Sequence, residues 1–111
     1  MTFKMPATGP DCAVWPELAR AARAIDHIRQ LIDADAERFA HCSAEAAGIM
    51  LDFSRQRINA AALRGLARLA DELGLRERIA AMFRGDPINV TEGRSVLHTA
   101  LRRPAGSPAL I

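Results

Sequence analysis

Alanine dominates the apolar content of this chain: half of the 111 residues are hydrophobic, but 22 of them are alanine. About 31 large apolar side chains remain, enough for one thin core and not for two independent ones. Alanine favours helix and adds little burial, so a layer of short helices is the expected architecture. Periodicity supports this. Pro16 stands at a first helical position, and Leu18, Ala22, Ile25, Ile28 and Ile32 recur at three- and four-residue spacing, predicting one helix through about residue 32. Asp33 and Asp35 mark a break and a new cap, followed by a helical turn through Phe39. Residues 43–48 are small and weakly patterned, and 49–54 form a short apolar run that reads as extended. Asn59 predicts an N-cap for a helix bearing Leu63, Leu66, Ala67, Ala70 and Leu73, with Gly74 as its left-handed stop. Leu75 to Phe83 predicts another helix, stopped by Gly85-Asp86-Pro87, and Thr91 is expected to cap a last one carrying Val96, Leu97, Ala100 and Leu101.

Composition narrows the function classes. Fifteen basic residues, Lys4 and fourteen arginines, face thirteen acidic ones for a net +2, a small surplus and not a phosphate-binding patch. The competing reading is a free-standing small helical binding protein, and the arginines at 64, 68, 76, 78 and 84, with Leu69-Ala70 and Leu73-Gly74-Leu75, allow a helix-turn-helix DNA reader as one form of it. Asp71, Glu72 and Glu77 neutralise that stretch, however, and the second helix offers few side chains to base edges, so no nucleic-acid partner is expected. There is no apolar run long enough to span a bilayer and no signal-peptide pattern, so neither a membrane partner nor export is expected; the cytoplasm is the default. Cys12 and Cys42 lack ligand or disulfide spacing and read as reduced, unreactive thiols, and His27 and His41 as surface histidines. No metal site is expected. Phosphate-cradling and nucleophile motifs are absent. Arg94 and His98 lie four apart and would share a face of the last helix, with Glu92 as a candidate partner, which suggests a structural polar network of Thr91, Glu92, Arg94 and His98.

Three stretches carry a family likeness. Residues 51–58, Leu-Asp-Phe-Ser-Arg-Gln-Arg-Ile, resemble the L-D-[YF]-S-K-N-R-I element of glucose-6-phosphate isomerases. Residues 81–89 resemble their M-F-x-G-E-x-I-N, and 89–102 their N-x-T-E-x-R-A-V-L-H-x-A-L-R. The departures are small: Arg55-Gln56 for Lys-Asn, Asp86-Pro87 for Glu-Lys, and Ser95 for alanine. The resemblance implies a mainly α segment, with one short extended piece near 49–54, from a much longer α/β enzyme with sugar-isomerase domains. It implies the organisation 1–14 irregular tail, 15–103 helical segment, and 104–111 the start of the first α/β domain, interrupted as Ala109-Leu110-Ile111 begins.

The resemblance further implies interconversion of glucose 6-phosphate and fructose 6-phosphate without metal or organic cofactor. In that chemistry the ring opens and a glutamate moves a proton between C2 and C1 through a cis-enediol. The family's base, ring-opening histidine, phosphate loop and enediol-stabilising arginine belong to later segments, so no catalytic or substrate-binding residue is expected here. The chain is expected to be inactive and marginally stable alone. Its partners would be the remainder of the isomerase, the homodimer mate and, in the full enzyme, the sugar phosphate.

Overall fold

A computed structural model describes residues 7–108. They fall into two compact units, residues 14–67 and residues 7–13 with 68–108; the division lies within one helix. The expectation for Ala109-Leu110-Ile111 lies outside the described residues.

In the unit 14–67, helix α1 spans Trp15–Ala24 with Pro16 in its first turn, where a missing N–H costs nothing, and Arg23 in its last. The single helix expected to run on through residue 32 is instead two. Ile25 and His27 are extended, and α2 occupies Ile28–Asp33. Arg57 explains the interruption. Its guanidinium takes the carbonyls of Ile25 and, at 3.0 Å, Asp26, which a continuous helix would have offered to residues 29 and 30. His27 then caps the new helix, its Nδ1 accepting from the Arg29 N–H at 3.3 Å while Gln30 Oε1 accepts the His27 N–H at 3.0 Å.

The break after Asp33 matches expectation but the cap does not: Asp35 Oδ1 accepts the Glu37 N–H at 3.1 Å inside the connecting turn, and Glu37, without a side-chain capping bond, stands at the N-cap of α3, the single turn Arg38–His41. Strand β1, Ser43–Ala46, pairs antiparallel with β2, Ile49–Asp52, with Ala46 opposite Ile49 and Ser43 opposite Asp52. The extended piece near 49–54 was legible in the sequence, but its partner was not. Ser-Ala-Glu-Ala has no strand propensity of its own and is extended because β2 pairs with it. The connection is the two-residue turn Ala47-Gly48, both at positive φ (52° and 73°), a backbone whose twist matches that of the strands.

Helix α4, Ala60–Glu72, begins as predicted: Asn59 Oδ1 accepts the Ala62 N–H at 2.9 Å. Gly65 is buried on it, and a Cβ there would stand 2.7 Å from Leu18 Cδ2, so the close approach of α1 and α4 depends on a missing side chain. The few buried side chains of this unit are Val14, Cys42 and, unusually, Arg38.

In the other unit, Gly74 (φ 66°) stops α4 and leads directly into α5, Leu75–Arg84. Gly85 (φ 83°) ends α5, with the Gly85 N–H on the Met82 carbonyl (3.1 Å) and the Asp86 N–H on the Ala81 carbonyl (3.0 Å). The last helix expected from Thr91 does not form. Asn89 and Arg94 bridge antiparallel through both main-chain bonds (3.0 and 3.3 Å) around a turn with Gly93 at φ 63°. Asn89 Oδ1 accepts from Thr91 Oγ1 at 2.8 Å, so the threonine that was expected to cap a helix is spent inside the turn. Ser95 Oγ donates to the Gly85 carbonyl at 2.6 Å and draws the chain back to the end of α5. Only the 3₁₀ turn Ala100–Arg102 is helical there. Among the described residues of this unit Cys12 and Ala81 are buried.

Candidate functional site

The four residues expected to form a polar network are partly assembled, on a turn and not on a helix face. Asn89 organises it: besides Thr91, its Oδ1 receives the Glu92 N–H (3.4 Å) and its Nδ2 reaches Glu92 Oε2 (3.4 Å). Arg94 enters through its main chain only. Its guanidinium and the His98 ring are exposed, and among the described residues neither side chain makes a hydrogen bond or ion pair. One residue further, the Thr99 hydroxyl is buried without a partner. Sequence reasoning missed Asn89 as the hub because it lay at the seam between two family motifs.

The most constrained side chain is Arg38, 7% exposed. Its Nε donates to the Ser54 carbonyl at 2.7 Å, and its Nη2 to the carbonyls of Gln56 (2.8 Å) and Ile58 (2.9 Å). Among the described residues no carboxylate forms an ion pair with it, although its charge helps to lower the pKa of Asp35. Its function is to satisfy three loop carbonyls that have left the sheet and not yet entered α4. An arginine on a four-residue helix gives no sequence signal for this; only the loop's return past α3 does.

Beside it, His41 Nδ1 and Asp35 Oδ2 are 2.9 Å apart. That hydrogen bond raises the His41 pKa and, from the other side, lowers that of Asp35. A cleft of about 330 Å³ opens between Asp35, Arg38, His41, Asn59 and Arg64. Its acid and base are bonded to each other, and three of Arg38's donor bonds are already made, so nothing there converges on an open reacting position. A larger groove of about 680 Å³ is walled by Trp15, Leu18, Ala22, Ile25, Phe53 and Leu66, with Gln56 and Arg57 as its polar edge. It holds no carboxylate and no histidine.

The arginines of α4 and α5 are not arrayed for phosphate. Arg84 pairs with Glu77 (2.8 Å) and Asp86 (2.9 Å), and Arg76 lies 3.6 Å from Asp71. Among the described residues no group of three or more His, Cys, Asp or Glu could hold a metal ion, and no helix is long and apolar enough to cross a membrane. Cys12 and Cys42 are free and buried, and burial pushes the Cys12 thiol pKa up.

The site lies within a stretch that matches known proteins. A family model described as phosphoglucose isomerase matches residues 52–111, just over half of the chain. A glucose-6-phosphate isomerase of Nitrosospira multiformis is 54% identical over 85 residues, covering 77% of this chain and 16% of that protein. One from Deinococcus radiodurans is 54% identical over 78 residues, 70% of this chain and 14% of the relative. One from Syntrophus aciditrophicus is 43% identical along the whole of this chain but only 20% of its own length. The chain belongs to the phosphoglucose isomerase family. It spans a fifth or less of the length of these relatives.

Proposed function

We propose that this chain is the N-terminal helical segment of a cytoplasmic glucose-6-phosphate isomerase, a buttress for the catalytic domains that holds none of the catalytic residues. The whole enzyme interconverts glucose 6-phosphate and fructose 6-phosphate in glycolysis and gluconeogenesis, as a homodimer, by intramolecular proton transfer. In this reading residues 15–103 are the buttress, and residues 104–111 lead into the first α/β domain. Thr91, Glu92, Arg94 and His98 are structural: Asn89 holds the first two, and Arg94 and His98 find their mates on the remainder of the isomerase.

The observation that carries the reading is how little these elements bury. Among the described residues no large side chain is fully buried, while Ile49, Phe39, Phe83 and Leu101 stand 72, 52, 59 and 89% exposed. Aldose–ketose isomerisation requires a water-shielded pocket that aligns a base with two adjacent carbons and holds a phosphate. Glu92 sits in an exposed turn and the larger groove is apolar, so neither supplies one.

A coupled assay tests the reading. The Nitrosospira multiformis isomerase with its matching 85-residue stretch deleted is expected to be inactive, and the same protein with this chain in place of the stretch active. Turnover by the 111 residues alone, or a replacement no better than the deletion, refutes it.

A further inference from the structure

Two main-chain edges border the β1–β2 hairpin, and they differ in kind. The β1 edge belongs to Ser-Ala-Glu-Ala, short, small and charged, as a sheet edge that meets water usually is. The β2 edge belongs to Ile-Met-Leu-Asp, with no lysine, proline or bulge to blunt it. Its side chains alternate, Ile49 and Leu51 to one face and Met50 to the other, yet they are 72, 60 and 62% exposed. A strand apolar on both faces is the pattern of a sheet interior, covered on each side.

The register shows which main-chain groups are free. The two-residue turn makes Ala46 and Ile49 the closing pair, and the Phe53 N–H bonds the Cys42 carbonyl at 2.8 Å beyond the other end. In an antiparallel ladder bonded pairs alternate, so Ile49 and Leu51 bond inward to β1 while the N–H and C=O of Met50 and Asp52 point out along the free edge. Among the described residues no hydrogen bond reaches those four groups.

We infer that β2 is an acceptor strand: a β-strand from the part of the isomerase that this chain does not match pairs along Met50 and Asp52. The inference rests on the reading that the chain works within a longer isomerase. The length of the relatives favours that occupant, because at least four-fifths of each of those named lies outside the match and has to cover both faces of β2.

The test mixes this chain with the Nitrosospira multiformis isomerase lacking its matching stretch, and follows amide hydrogen exchange on this chain. In the free chain the Met50 and Asp52 amides are expected to exchange at least ten-fold faster than those of Leu51 and Phe53, and in the complex to slow at least ten-fold. Met50→Pro removes one outward N–H without touching a β1–β2 bond and is expected to weaken assembly at least ten-fold, whereas Met50→Leu leaves it within two-fold. Assembly with unchanged exchange at Met50 and Asp52, or with full affinity for Met50→Pro, overturns strand addition and leaves the wider reading standing. Protection of both amides in the free chain, sedimenting as a dimer, assigns the edge to a second copy and also overturns it. No assembly by the unsubstituted chain overturns the wider reading together with the inference.

Discussion

Arg38 shows how much one side chain can decide. Its three bonds go to carbonyls at 54, 56 and 58, where the chain leaves the hairpin and turns toward α4. An uncharged replacement of similar length loses three part-buried hydrogen bonds from a charged donor, at about 1.5–3 kcal/mol each, and leaves the Gln56 carbonyl only its bond from the Ile58 N–H. Arg38→Met is therefore expected to abolish the folded signal of the isolated chain in far-ultraviolet circular dichroism at 10 °C; a variant as folded as the parent would show the carbonyls to be hydrated instead. The neighbouring Asp35–His41 pair sets a pH window. His41 has its pKa raised above the unfolded value near 6.5, so its contribution is full below that value and is lost as pH rises through the folded one. Asp35 is depressed, so its contribution is present above the unfolded value near 3.8 and lost as pH falls through the folded one. The pair holds best between about pH 4 and 6.5. In an NMR titration the His41 midpoint is expected above 6.5 and back near it in Asp35→Asn; an unchanged midpoint in that variant would assign the shift elsewhere.

At the scale of elements, side chains outside the helical pattern set the limits that the pattern left open. The pattern Leu18 to Ile32 suits one helix, but Arg57, about thirty residues downstream, withdraws two of its carbonyls and divides it. Thr91 fits an N-cap, but Asn89 lies two residues before it and its side chain closes a turn first. Where caps and stops are local, at Asn59, Gly74 and Gly85, the predicted limits coincide with the structure. The hairpin carries a measurable strain. Ala47 sits at φ 52°, a region that costs a residue with a Cβ about 1–2 kcal/mol, and asparagine tolerates it better. Ala47→Asn is expected to stabilise the hairpin by about 0.5–1 kcal/mol in denaturant titration, and a loss of stability would show the turn to be of another type.

For the whole molecule, the thin core is the governing fact. Among the described residues the side chains that are buried are small or polar, and twelve large apolar ones stand 40–89% exposed. Hydrophobic burial scales with area removed from water, so the isolated chain is expected to keep no more than about 3 kcal/mol of stability. It should bind a hydrophobic dye such as ANS, and lose that binding on assembly with the remainder of an isomerase. A cooperative melt well above 65 °C without dye binding would contradict both the thin core and the role proposed for it.

The sequence by itself determined the family, the helical class, the locally capped ends and the shortage of large apolar side chains, because each depends on residues adjacent in the chain or on composition alone. Tertiary structure alone decided where the first helix breaks, that Ser43–Ala46 is a strand, that Arg38 is buried, and that Thr91 to Leu97 turns instead of winding. In the first three a main-chain group met a partner distant in the chain once folding brought it within hydrogen-bond reach, and in the last the Asn89 side chain and the Ser95 bond to Gly85 outweighed the helical pattern.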